Sequence, residues 1–269
     1  MVLRRIQALE KGIGSPLFDR LSTGYVATEA GRTLTDAGQA INTAITNASR
    51  VIEGRSAELS GVVSFTTTDS LAHVISPLLL ASFRPEHPAI RVESLITNNL
   101  VDLDVRAADV TLRPTSRPPE LWVGMRLVRM DFGIYAFPAY VAGRPKMAWN
   151  DFDWVFPNGQ LDGAPATRWI KTLVSPDRVV SKIDSFVAMA ALARAGVGAT
   201  VLPWFLGSSM PDLTLITPAS DKASVDVWIL THPNLKNAGR IAAFVDHVSA
   251  GVREQKMLFE ASRRTGRTK

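Results

Sequence analysis

The most informative stretch of the sequence is residues 4–31, RRIQALEKGIGSPLFDRLSTGYVATEAG. From Arg4 to Lys11, apolar side chains share one helical face and charged ones the other, which predicts the end of an amphipathic helix stopped by two glycines. Asp19 to Ala27 predicts a short hairpin with a polar tip. Thr28 is then placed to cap a new helix. The stretch therefore predicts a helix, a hairpin and a second helix in that order.

This order resembles the DNA-binding segment of LysR-type transcriptional regulators, where a pattern of the form RRIxxLExxLGxPLFxRxxxGxxxTxAG forms the back half of a winged helix-turn-helix. The resemblance implies that Met1 lies inside the recognition helix, that the front helices are missing, and that DNA binding by this chain is impaired. For Arg20, an ion pair with Glu10 or Asp19 is the alternative to a DNA contact. The resemblance implies contacts to promoter DNA from the helix end, the wing and the following cap: Arg4, Arg5, Arg20, Ser22, Thr23 and Thr28.

A long helix is predicted over residues 29–58. Its apolar residues recur at alternating steps of four and three, the spacing of a coiled-coil seam. These residues are Leu34, Gly38, Ile41, Ile45, Ala48 and Ile52. In LysR-type proteins the helix at this place pairs two subunits, so the resemblance implies a homodimer or homotetramer held by Leu34, Ile41, Ile45 and Ile52. A helix packed on its own domain is the alternative.

From Val62 onward, strands and helices alternate along the chain. Residues 62–66, 90–96 and 108–113 predict strands with helices between them, and such repeats form a parallel sheet with right-handed crossovers. Ligands bind outside the carboxyl ends of such strands. We therefore expect the polar residues that follow these strands to line a binding cleft: Thr68, Ser70, Thr97, Asn98 and Arg113.

A second block, residues 184–203, resembles the effector-domain pattern DSxxxxxxLxxAGxGxxxLP of LysR-type proteins and adds Asp184 and Ser185 to the expected cleft. The resemblance implies an α/β fold with a partial winged helix-turn-helix, a long linker helix and a two-lobed effector domain like periplasmic binding proteins, with mostly parallel sheets. The expected segments are a remnant at 1–28, a linker at 29–59, an effector domain at 60–252 and a basic tail at 253–269. Lobe I of the effector domain is expected at 60–134 and 224–252, and lobe II at 135–223.

The expected cleft is suited to a small anion. Helix N-termini favour anions, because their free N–H groups and the helix dipole point at the ligand. Arg113 adds a charge-assisted partner for a carboxylate. A small anionic metabolite is thus the expected effector. Helix capping alone is the alternative for Ser70 and Ser185, and a surface position at a strand end is the alternative for Arg113.

Composition argues against several classes of function. The chain has 269 residues, no cysteine and four scattered histidines, so we expect no disulfide, metal site or other cofactor. The sequence has no assignable catalytic Ser-His-Asp order and no phosphate-binding glycine loop, so we do not expect an enzyme. Without a signal peptide or a long apolar run, we expect a soluble cytoplasmic protein that does not bind membranes. The net charge of +5 is compatible with nucleic-acid binding but decides nothing alone.

Two functions of different class remain. The first is a ligand-responsive transcription factor, in which the effector changes how the subunits are held on promoter DNA. The second is a ligand-binding and dimerisation module without independent DNA binding. The front helices of the DNA-binding segment separate the two, because only the first function needs them.

Overall fold

The chain divides into two units, residues 1–53 with 103–107 and residues 54–102 with 108–269. The computed structural model describes residues 2–21, 24–35, 37–38, 41, 59–99 and 108–261. Within these ranges, every helix is too short or too polar to cross a lipid bilayer.

The N-terminal unit has the predicted order of a helix, a hairpin and a second helix. Helix α1 (Val2–Ile13) is followed by Gly14, whose φ of 76° lies in the region that favours glycine. Strands β1 (Phe18–Leu21) and β2 (Gly24–Ala27) pair antiparallel. Helix α2 follows and is helical at residues 29–35, 37–38 and 41. The following residues of the sequence predictions lie outside the described part of the chain: Met1, Ser22, Thr23, Ile45, Ala48 and Ile52.

Glu10 and Thr28 join these three elements through their side chains. The Glu10 carboxylate accepts a hydrogen bond from the Leu17 N–H at 2.8 Å. The Thr28 hydroxyl accepts one from the Gly31 N–H at 3.0 Å, which is the predicted helix cap, and donates to the Pro16 carbonyl at 2.8 Å. Leu17 itself is only 3% exposed. Of the apolar pair Leu17 and Phe18, which the sequence predicts to pack between helix and hairpin, Leu17 is thus buried, whereas Phe18 is 36% exposed.

The larger unit is an α/β structure in two lobes. Its elements in chain order are β3 (Gly61–Thr67), α3 (Asp69–Glu86), β4 (Ile90–Ile96), β5 (Val110–Pro114), β6 (Val123–Met130), β7 (Phe132–Ala136), α4 (Pro138–Ala142), β8 (Trp154–Pro157), α5 (Pro165–Lys171), β9 (Val179–Ile183), α6 (Phe186–Arg194), β10 (Thr200–Pro203), α7 (Trp204–Ser208), β11 (Thr214–Pro218), β12 (Val225–Thr231), α8 (Gly239–Glu254) and α9 (Lys256–Phe259).

The first lobe is built on a five-stranded sheet in the order β4-β3-β5-β12-β6. Strand β3 pairs in parallel with β4 and with β5, as the alternation of strands and helices predicts. Strand β12 returns from the second lobe and runs antiparallel to both of its neighbours. Helices α3 and α8 pack together on this sheet, where the rings of Phe65 and Phe83 meet Phe244 edge-on at 5.2 and 5.1 Å.

The second lobe contains a three-stranded antiparallel sheet, β10-β7-β11, and a parallel pair, β8 and β9. Two glycines of the predicted effector-domain pattern shape this lobe after helix α6. Gly196 has a φ of 77° and ends the helix. A Cβ atom on Gly198 would lie 2.3 Å from the Asp153 carbonyl oxygen, so only glycine lets the Ala199 N–H reach that carbonyl at 2.8 Å.

The chain passes between the lobes at Asp131, which lies between β6 and β7, and again at Ser224, just before β12. The Asp131 carboxylate connects the two passages. Its Oδ1 accepts hydrogen bonds from Ser224 Oγ at 2.7 Å and from Arg129 Nε at 3.0 Å. Its Oδ2 accepts one from the Ala261 N–H at 3.0 Å. Arg129 Nη2 also pairs with the Asp221 carboxylate at 2.9 Å. We call Asp131, Arg129, Ser224, Ala261 and Asp221 the crossover cluster.

The first part of the expected basic tail is packed rather than free. Helix α8 continues to Glu254, α9 follows at once, and Phe259 is fully buried against Phe205 of α7, with ring centroids 5.2 Å apart. The Phe259 carbonyl also accepts the Asp131 N–H at 2.9 Å. The expectation of a basic tail from residue 253 rested on its charged residues and left out the apolar run 257–259. Residues 262–269 lie outside the described part of the chain.

Candidate functional site

A cavity of about 630 Å³ lies between the two lobes of the larger unit. Its volume is that of a site for a small organic molecule. The first lobe contributes ten lining residues: Thr68, Ser70, Asn98, Arg113, Pro114, Thr115, Ser116, Arg117, Met130 and Val225. The second lobe contributes eight: Phe132, Gln160, Leu161, Gly163, Ala164, Pro165, Arg168 and Phe186. A ligand held here would touch both lobes at once.

Four of the seven residues expected to bind an effector line this cavity. Thr68 and Ser70 follow β3, Asn98 follows β4, and Arg113 lies near the end of β5. They are close together because parallel neighbouring strands end at the same edge of the sheet. The other three residues lie outside the lining: Thr97, Asp184 and Ser185.

Arg113 is buried in the cavity wall, with 1% of its surface exposed. Its Nη1 donates to the Asn99 carbonyl at 2.8 Å, and its Nη2 donates to the Thr97 carbonyl at 3.1 Å and to Thr66 Oγ1 at 3.2 Å. Its Nε donates to Thr111 Oγ1 at 3.2 Å. The guanidinium therefore fixes the loop after β4 onto β5, and it places a positive charge beside the cavity.

Two further arginines line the cavity, one from each lobe. Arg117 lies in the turn after β5, where the Thr115 hydroxyl accepts its N–H at 3.1 Å and donates to its carbonyl at 3.0 Å. Arg168 lies on α5 and donates to the Gly163 carbonyl. Among the described residues that line the cavity, none is acidic. A concave site with positive charge on its walls raises the local concentration of anions.

The apolar part of the lining is formed by Met130, Phe132, Leu161, Pro165, Phe186 and Val225. The rings of Phe132 and Phe186 lie 5.9 Å apart and are tilted by 56°. Apolar walls with a few polar groups are typical of small-molecule sites. The arrangement is suited to a molecule with an anionic group and a carbon skeleton.

Ser185 and Ser70 differ in how they relate to their helices. The Ser185 hydroxyl accepts the Ala188 N–H at 3.1 Å and so caps α6, as the capping alternative predicts. The N-cap of α3 is Thr68, which makes no capping side-chain bond, and Ser70 lies one residue inside the helix. Asp69 lies between Thr68 and Ser70. It is not among the residues predicted from the sequence, although its carboxylate contacts Ser185 of the second lobe.

The residues expected to contact DNA lie in the N-terminal unit. Arg4 and Arg5 are in α1 and Arg20 is in β1, while their side chains lie outside the described part. Of the seam residues described, Ile41 is 62% exposed and Leu34 is partly exposed. Leu34 lines a shallow, mostly apolar groove of this unit, together with Ile13, Pro16, Leu17, Ala30 and Ala37.

Arg117 and Arg168 were missed because their approach depends on how the lobes pack. The only local signals were the Thr-Ser turn before Arg117 and Pro165, which suits the first turn of a short helix.

Within the described residues, no group of three or more histidine, aspartate and glutamate side chains is placed to hold a metal ion.

Residues 56–253 match the family model for the LysR substrate binding domain. The chain is 34% identical over 134 residues to the HTH-type transcriptional regulator CbbR of Xanthobacter flavus, a match that covers 47% of this chain and 38% of that protein. It thus spans about two fifths of this relative's length.

Solved structures of similar fold include full-length AphB, a virulence activator of Vibrio cholerae and a member of the LTTR family. AphB is 18% identical, with a TM-score of 0.65 over 93% of this chain and 88% of that one. Full-length CbnR in complex with its target DNA is 17% identical, with a TM-score of 0.61 over 93% and 89%.

Proposed function

Because the chain belongs to the LysR family of transcriptional regulators, we propose that a small organic anion bound between its lobes controls its action on promoter DNA. The observation that carries this proposal is the charge of the cavity wall: Arg113, Arg117 and Arg168 line it, and no described lining residue is acidic. The ligand touches both lobes, so its binding strength depends on how they are arranged. A ligand with unequal affinity for two arrangements shifts the population between them.

Arg117 and Arg168 make the cavity prefer a negatively charged ligand. A hydrogen bond to a charged group contributes about 1.5–3 kcal/mol, so the loss of one such contact weakens binding by roughly tenfold or more. Both side chains are exposed in the structure and are therefore available to a ligand. Arg113, which is buried, contributes charge and holds the loop in place.

The experiment is a thermal-shift and calorimetric titration with charged and neutral probes of matched size: acetate and succinate against acetamide and succinamide, and inorganic phosphate. We expect the charged probes alone to raise the melting temperature, since binding to the folded state stabilises it. Arg117→Met and Arg168→Met should weaken this effect. Arg91→Met is the control, because Arg91 is an exposed arginine paired with Glu93 on β4, outside the lining. Equal responses to charged and neutral probes contradict the anionic effector.

We propose that subunits pair through helix α2. The support is its apolar spacing and the exposure of Ile41, 62% in a single chain, since an exposed apolar seam is stabilised by a partner helix. Ile41→Glu should shift the chain toward monomer in analytical ultracentrifugation, whereas Thr33→Glu, off the seam on the same helix, should not. An unchanged dimer or tetramer in the Ile41 variant contradicts this role for α2.

For DNA, we propose that this chain by itself binds weakly and through its basic charge. In the described part of the N-terminal unit a single helix, α1, precedes the hairpin, whereas in a helix-turn-helix the recognition helix that contacts base edges is supported by a preceding helix. Fluorescence anisotropy on the DNA upstream of its own gene, titrated in salt, tests this. Binding that vanishes as salt rises is expected. Sequence-specific binding that persists at physiological salt would contradict this proposal.

A further inference from the structure

The two lobes are joined at one aspartate near the cavity, Asp69, the first residue of helix α3. Its Oδ2 accepts a hydrogen bond from the Ser185 hydroxyl, the cap of helix α6 in the other lobe, at 2.6 Å. The Val187 N–H, in the first turn of α6, lies 3.5 Å from the same oxygen. Its Oδ1 accepts the Ser70 N–H at 2.6 Å. One carboxylate therefore receives donors from the first turns of two helices in different lobes.

Asn98 makes a second connection beside the first. Its side-chain oxygen accepts the Asp69 N–H at 3.3 Å, and its side-chain Nδ2 donates to the Asp184 carbonyl at 3.0 Å. The loop after β4 is thus tied to the start of α3 and also to the residue before the α6 cap. We call Asp69, Asn98 and Ser185 the lobe latch.

Electrostatics make Asp69 the central member of the lobe latch. The N-terminus of a helix carries roughly half a positive charge, which a nearby carboxylate stabilises. Asp69 and Ser185 are both partly buried, so solvent screens this attraction less than at an open surface. Separation of the lobes would remove the carboxylate from the α6 terminus and leave the Ser185 hydroxyl without its acceptor.

We propose that Asp69 is a resident anion that holds the two lobes together when no ligand is bound. The sequence predicts an anion at these helix ends, and the chain supplies one itself. Lobe closure is then set by an internal charge, independently of the identity of the effector. One consequence rests on the proposed function: the anionic group of an effector lies toward Arg117 and Arg168, away from the Asp69 carboxylate.

The test measures the distance between the lobes in the unliganded full chain by double electron–electron resonance. The chain contains no cysteine, so two introduced cysteines carry the only nitroxide labels. Ala81 on α3 and Ala195 at the end of α6 are suitable because both are exposed and their helices begin at the lobe latch. The labelled parent should give one narrow distance distribution.

Asp69→Asn removes the charge but keeps the shape, and Ser185→Ala removes the donor from the other lobe. We expect both variants to add a population at longer distance, shifted by several ångströms. Asp246→Asn is the control, an exposed aspartate on α8 away from both lobe contacts. Circular dichroism verifies folding, and if the Asp69 variant does not fold, Ser185→Ala decides the matter.

An unchanged distribution in Ser185→Ala and in a folded Asp69→Asn would overturn the proposal, as would an equal shift in the control. No ligand is present in this measurement. Its failure is therefore distinguishable from the failure of the anionic effector, which only the probe titration tests.

Discussion

Replacement of Asp131 by alanine should destabilise the larger unit far more than replacement of Asp221, although both carboxylates pair with Arg129. The two ion pairs have almost the same length, 3.0 and 2.9 Å. They differ in burial: the Asp131 side chain is 18% exposed and that of Asp221 is 76% exposed. The comparison therefore isolates the effect of burial and of additional hydrogen bonds.

The magnitude follows from the partners that each change leaves behind. Without the Asp131 carboxylate, the Ser224 hydroxyl and the Ala261 N–H lose their acceptors, and each partly buried donor costs about 1–1.5 kcal/mol. Arg129 still pairs with Asp221, so the loss of its ion pair with Asp131 adds only about 0.5 kcal/mol. The total is about 3 kcal/mol. For Asp221→Ala, an exposed pair contributes less than about 1 kcal/mol.

Urea unfolding followed by tryptophan fluorescence gives both free energies of unfolding by linear extrapolation. Hydrogen exchange at the Ala261 amide adds a local readout, and protection there should fall in the Asp131 variant alone. If the two variants lose equal stability, or if Asp131→Ala costs less than about 1 kcal/mol, the crossover cluster contributes no more than a surface ion pair.

Three further outcomes are expected. Gly198→Ala should cost several kcal/mol in urea unfolding, because its Cβ would meet a backbone oxygen at 2.3 Å, whereas Gly143→Ala, with φ of −70° and its nearest atom at 3.5 Å, should be close to neutral. Burial raises the pKa of the Tyr135 hydroxyl above its ordinary value of 10.0, against a smaller opposing effect of the Ser208 hydrogen bond. The unfolded chain then releases this proton first, so stability should fall as pH rises from about 10 through the folded-state pKa, and Tyr135→Phe should flatten that loss in alkaline unfolding curves. Thr28→Ala should cost about 1 kcal/mol of helix α2 stability, seen as faster amide exchange in its first turn, while Thr28→Ser should retain most protection.

Local signals predicted the elements that depend on neighbours in sequence. Gly14 and Thr28 mark a helix end and a helix start that the structure contains, because a positive φ and a capping hydroxyl act within a few residues. Thr68, Ser70 and Asn98 meet at one sheet edge, since parallel strands connected by helices bring their carboxyl ends together. Topology alone places these three.

Contacts that depend on the packing of distant segments could not be predicted in this way. Arg168 faces Arg113 and Arg117 across the cavity only because α5, a helix of seven residues with too few turns for a clear period, packs in the second lobe. In the sequence, Asp69 looks like any acidic residue in the first turn of a helix. Its hydrogen bond with Ser185 joins residues 116 positions apart. Phe259 ends a run of only three apolar residues, 257–259, which is too short to indicate a place in the core.

The packing of α9 affects how pieces of this protein can be exchanged with relatives. The family match ends at residue 253, before the helix that contains Phe259. A chimera joined at that boundary would uncover Phe205 and remove one donor from Asp131, where the chain passes between lobes. Grafts of the larger unit onto the DNA-binding domain of a different protein should therefore extend to residue 261. Hybrids that end earlier should differ in how the two lobes are held together rather than in the lining of the cavity.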